Sequence, residues 1–121
     1  MADRVNILLR HGPYGKIHAA EALRHAGGAL SKGWEVALIL VGDGVHAGLP
    51  YHVSPGDSWM ALSEVLRNLL DESDGRFGLF VHDRSLEERG LGRYDLFKES
   101  RLVTTDGVAK LLAGSGRTLI F

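Results

Sequence analysis

Apolar residues are spread along the chain in five short runs with amphipathic stretches between them. Val36 to Val41 is the run with the clearest meaning. It has no polar alternation, so both faces of the segment are covered, as in a central strand of a parallel sheet. It breaks at Gly42-Asp43-Gly44, where two residues without a Cβ can take positive φ and turn the backbone sharply away from the sheet. Val5–Leu9, Phe77–Val81, Arg101–Thr104 and Thr118–Phe121 are the other strand candidates.

Between the strands the period changes to that of a helix. Ala19, Ala22, Leu23, Ala26 and Leu30 share one face of a helix over about Tyr14 to Ser31, which Gly33 closes as an αL cap. A stripe composed mostly of alanine lets the helix axis approach a sheet or a neighbouring subunit closely. A second helix opens at Ser54, with Pro55 at its first position and Asp57 at capping-box spacing. Trp59, Leu62, Val65, Leu66, Leu69 and Leu70 form its apolar stripe, and Glu64, Arg67 and Asp71 stand at ion-pairing distances along the cylinder. Asp74-Gly75 ends it. Ser85 with Glu88 predicts a short helix over Leu86 to Arg89 closed by Gly90, and Thr105 or Asp106 caps a last helix carrying Val108, Leu111 and Leu112.

The resulting order is βαβαβαβαβ. Right-handed crossovers through short connections place helices over both faces of a parallel sheet, so the expected fold is a three-layer α/β domain spanning residues 1–121. No repeat, low-complexity tract or long linker suggests a second domain.

Composition narrows the function. The chain has 121 residues, a formal net charge of -1 and no cysteine. A chain of this size buries enough surface to fold without staples. Without cysteine there is no thiol nucleophile, persulfide carrier, Cys-ligated zinc or iron–sulfur cluster. Interspersed charges give no basic field for nucleic acid or an anionic membrane. The opening MADRVNILLRHG is neither a signal peptide nor a membrane span, so a cytoplasmic protein is expected.

In a parallel sheet all strand C-termini share one edge. That edge collects Arg10-His11, Asp43-Gly44-Val45-His46, His82-Asp83 and Thr104-Thr105-Asp106. Imidazoles oriented by carboxylates suit acid/base chemistry, which makes His82, Asp83 and His11 the catalytic candidates. Asp43, Gly44, Val45 and His46 are the candidates for ligand contact or an interface. Asp83, Thr105 and Asp106 read first as ordinary helix caps and only second as chemical groups. His11, His46 and His82 match no metal motif, and His18 and His25 share a helix face as solvated side chains. His11-Gly12-Pro13-Tyr14-Gly15 lacks a phosphate-loop pattern, and Pro13 removes one amide donor, so no cofactor is expected. Ser31, Ser58, Ser63 and Ser85 form no nucleophile elbow.

The segments GPYGKIHAAEALRHAGGAL, LILVGDGVHAGLP, VHDRSLEERGL and a terminal TLIF resemble, in that order, the DsrE/DsrF-like family and especially its TusC-like sulfur-relay subunits. The resemblance implies a five-stranded parallel sheet, assembly into oligomers and, in active subunits, a cysteine that carries sulfur as a persulfide. Many members place that cysteine just before the segment matching Asp83 to Leu91; this chain has His82. Imidazole holds no sulfane sulfur. The expectation is a non-catalytic, oligomerising subunit, homo-oligomeric or joined to other DsrE-like chains through its alanine-rich helix and the apolar Val45, Ala47 and Leu49. The alternative is a small-ligand site or acid/base enzyme at the sheet edge.

Overall fold

The computed structural model describes residues 3–14, 17–51, 61–114 and 116–121. Strands β1 (Arg4–Leu9), β2 (Glu35–Leu40), β3 (Phe77–His82), β4 (Arg101–Val103) and β5 (Thr118–Ile120) alternate with helices α1 (His18–Ser31), α2 (Leu62–Glu72), α3 (Asp83–Glu88) and α4 (Thr105–Ala113). The Ser54, Pro55, Asp57 and Trp59 start expected for the second helix lies outside the described residues, as do His52 and Ser58. All strand pairs are parallel, in the order β4-β3-β2-β1-β5.

This order explains the layers. Three successive crossovers step from β1 to β4 in one direction and the last reverses to β5, so right-handed connections put α1, α2 and α3 on one face and α4 on the other. Side-chain alternation agrees. Val5, Ile7 and Leu9 of β1, with Val36, Leu38 and Leu40 of β2 and Phe77, Leu79 and Val81 of β3, pack in one core with residues of α1, α2 and α3. Asn6, Leu8, Ala37, Ile39, Gly78 and Phe80 point the other way. There Asn6, fully buried, donates from Nδ2 to the carbonyl of Leu111 in α4 at 2.9 Å. β2 is the middle strand, and Val36 through Leu40 are buried on both faces, as an unbroken apolar run requires.

The alanines of α1 serve the sheet. Ala19, Ala22 and Ala26 are completely buried in the chain's own core, so this stripe offers no surface to a second subunit. Small side chains let α1 pack close to β1 and β2. The helix begins at His18 rather than near Tyr14. It ends as expected: Gly33 has φ +84°, its N–H donates to Leu30, and the Trp34 N–H donates to Ala29, a Schellman closure. Arg76 adds a side-chain cap, donating from Nη1 to the carbonyls of Leu30 and Trp34. Asp74 (φ +52°) and Gly75 (φ +80°) turn the chain from α2 into β3.

The sheet edge at His82 and Asp43

The Gly42–Gly48 stretch leaves β2 as a 3-10 helix. Its two leading glycines have different roles. Gly42 takes φ +55°, which favours glycine. Gly44 does not take positive φ; its constraint is space, since a Cβ there would stand 2.1 Å from the carbonyl oxygen of Leu9. Val45 is completely buried and Ala47 and Leu49 nearly so, all within the chain's own core. Apolar residues in this loop are thus accounted for by intramolecular packing, without a covering partner. Asp43 remains at the surface.

Helix α3 follows β3 directly, and Ser85 within it and Arg89 at its C-cap reach back to this turn. Ser85 is not the cap that its spacing with Glu88 suggests, because the helix already begins at Asp83 with His82 as its N-terminal flanking residue. Ser85 is buried and its Oγ accepts the Gly42 N–H at 2.9 Å. One turn later, Arg89 donates from Nε (3.0 Å) and Nη2 (2.9 Å) to Asp43 Oδ1, and from Nη1 to the Ser85 carbonyl at 3.0 Å. Residues four apart lie on one helix face, so the SLEER segment grips the GDG turn at two points. Leu91 and Gly90 close α3 by donating to Leu86 and Glu87, with Gly90 at φ +67°.

His82 lies between this clamp and the next strand. Its Nδ1 is 2.6 Å from Ser85 Oγ and its Nε2 is 2.8 Å from Thr105 Oγ1. Each hydroxyl can donate or accept, so both neutral tautomers are accommodated. Thr105 therefore has a ring partner rather than a capping role. The cap of α4 is Thr104, whose Oγ1 accepts the Gly107 N–H at 3.0 Å. Asp83 accepts the neighbouring Arg84 N–H.

His11, at the same edge, has a different partner. His11 stacks on His18, with ring centroids 4.1 Å apart, so His18 is not simply a solvated residue. His25 shares hydrogen-bonding distance with the Glu21 carbonyl through Nδ1 and tilts against Phe121 at 5.1 Å. Among the described residues, no three His, Asp or Glu side chains are grouped to hold a metal ion. The edge therefore separates into a His82-Ser85-Gly42 network joined to Asp43 through α3, and a separate His11-His18 stack.

A roomier feature escaped the pattern of residues. A cavity of about 600 Å³ is lined by Pro50, Ser63, Arg67, Asn68, Phe97 and Lys98, away from His82. Arg67 pairs with Glu99 and with Asp71, and its guanidinium lies 5.6 Å from the centre of the Phe97 ring. The hydrogen bonds from Arg67 hold the Glu99 carboxyl below its ordinary pKa. The Arg67–Asp71 pair was signalled by helical spacing; Glu99, 32 residues away along the chain, was not.

These features define a small parallel α/β protein whose C-terminal sheet edge is tied together by side chains from α3. The chain belongs to the DsrE/DsrF-like family, whose model matches residues 3–121. No curated protein matches the chain. Among solved structures, the YchN protein of E. coli superposes with a TM-score of 0.83 at 21% identity, covering 100% of both chains, and so shares the fold.

Proposed function

We propose that this protein is a non-catalytic, oligomerising subunit of its family, associated with sulfur relay but unable to carry a persulfide. One observation supports this above others. At the position where the family resemblance implies a reactive cysteine, His82 has both ring nitrogens engaged by hydroxyls, and the chain contains no cysteine at all. The arrangement is a structural brace between α3 and α4. It leaves no thiolate to accept sulfur.

Light scattering coupled to size-exclusion chromatography, with a pull-down from cell extract, tests the subunit reading. An assembly of two or more chains, or a co-purifying DsrE-like chain, supports it; a clean monomer without a partner overturns it. A thermal-shift screen of small thiols, nucleotides, flavins and divalent metals tests the competing reading of acid/base or ligand chemistry by His82, Asp83, Asp43 and His11. A ligand at 100 times its Kd adds about 2.7 kcal/mol of stability. Such a gain, lost in His82→Ala, would favour the site over the brace.

A further inference from the structure

The two edges of the sheet are protected unequally. β4 itself contains Arg101, whose guanidinium lies 5.7 Å from the Phe80 ring centre, whereas the nearest charge to β5 is Arg117, just before the strand, with its guanidinium 5.0 Å from the Trp34 ring centre. β5 carries no charge, proline or bulge to discourage pairing. All three of its residues are exposed, Ile120 at 59% and Leu119 at 39%. Its inner side is fully used: the Arg117 carbonyl accepts from Asn6, Phe121 donates to Leu8, and the Phe121 carbonyl accepts from Arg10. Odd-numbered residues thus face β1, and alternation turns the N–H and C=O groups of Thr118 and Ile120 outward. No strand pairs with that side among the described residues.

We infer that the outer edge of β5 is the docking surface for β5 of a second copy of this chain, antiparallel and centred on Leu119. This rests on the oligomeric reading above and names its surface. An antiparallel pair in that register sets Thr118 opposite the partner copy's Ile120 and the reverse, which satisfies the four outward-facing peptide groups of each pair of residues reciprocally. The two-fold axis brings Leu119 onto its own counterpart, so a charge there would be repelled. Thr118, Leu119 and Ile120 have none.

The axis stands perpendicular to the sheet and leaves each face continuous between copies. On the α4 face, Ile120 is covered by the partner copy's Thr118; on the α1 face, the two Leu119 side chains meet. Three residues alone fall short of the roughly 1,000 Å² of a specific interface. The adjoining α4 face supplies more, because α4 has no fully buried residue and its Leu111 and Leu112, like Leu8, the partner of Ile120 in the sheet, are only half-buried.

Two variants test the inference. A chain without native cysteine makes Leu119→Cys a single reporter. Its Cα atoms would lie about 4.5 Å apart in a non-hydrogen-bonded pair, within the range a disulfide spans. Mild oxidation should yield a covalent dimer, while Tyr94→Cys, fully exposed in the connection to the opposite edge strand, should not. Thr118→Pro removes an outward N–H without touching a bond to β1 and should weaken self-association about tenfold or more, whereas Thr118→Val should not. A wild-type assembly that is unmoved by Thr118→Pro and fails to cross-link through Leu119→Cys overturns this interface and leaves the subunit reading standing. A monomeric wild-type protein overturns this interface, and one that also brings down no partner chain overturns both.

Discussion

Ser85 Oγ sits 2.6 Å from Nδ1 of His82 while accepting the N–H of Gly42, 43 residues earlier in the chain. A single buried hydroxyl thereby links the end of β2, the end of β3 and the start of α3. Ser85→Ala leaves the Gly42 amide and one His82 nitrogen without that partner. The expected cost is about 1–3 kcal/mol, the range for a buried polar group left unsatisfied, measured by urea denaturation. A loss below about 0.5 kcal/mol would show that water replaces the hydroxyl and that the link is not structural.

Asp43 and Arg89 should contribute unequally although they form one pair. The Asp43 side chain is 70% exposed and Arg89 26%, so their mutual attraction is worth about 0–1 kcal/mol and weakens with salt. Arg89 also caps the Ser85 carbonyl. Arg89→Ala should therefore destabilise more than Asp43→Ala, and a double-mutant cycle should isolate a small, salt-sensitive coupling. Equal losses from both single variants would contradict the capping role.

Two glycine-to-alanine substitutions are expected to have opposite signs. At Gly44 a methyl group would stand 2.1 Å from a backbone oxygen, and the strand pair cannot yield cheaply, so Gly44→Ala should cost about 3 kcal/mol or more. Gly28 lies within α1 with nothing within 4 Å of an added Cβ. Gly28→Ala should stabilise by about 0.5–1 kcal/mol through helix propensity. Thermal or denaturant melts of the two variants check both signs.

Asn6 anchors the only helix described on its face of the sheet. Replacing it with alanine removes the amide that satisfies the Leu111 carbonyl near the end of α4. About 1–3 kcal/mol should be lost, and hydrogen exchange should quicken in α4 before it does in α1 or α2. Uniform exchange throughout the chain would argue against a local anchor.

The Arg67–Glu99 pair predicts a pH dependence. The Glu99 pKa is lowered by its hydrogen bonds from Arg67, so the folded state binds its proton less readily than the unfolded chain does. The pair's contribution is present above the ordinary carboxyl value of 4.5 and disappears as pH falls through the lowered folded value. Both side chains are about a third exposed, which keeps the effect modest. Glu99→Gln should flatten the acid limb of a stability-against-pH curve below pH 4.5; an unchanged limb would assign it to other carboxyls.

The alternation of buried runs with amphipathic segments determined the five strands, the four helices and the central place of Val36 to Leu40, because burial on two faces and burial on one leave different periods in a sequence. The positive φ of Gly33 and Gly42 was equally local. Tertiary structure decided what each polar or small residue touches. Capping spacing could not show that Ser85 is already inside a helix and turned toward Gly42, since its partner is set by strand register and not by neighbours in the chain. The apolar side chains Ala19, Ala22, Ala26 and Val45 carry no mark of whether their cover is the same molecule or another. Here the chain's own sheet supplies it, and what stays open are the two edge strands; the last crossover, by reversing direction, sets β5 beside β1 as one of them.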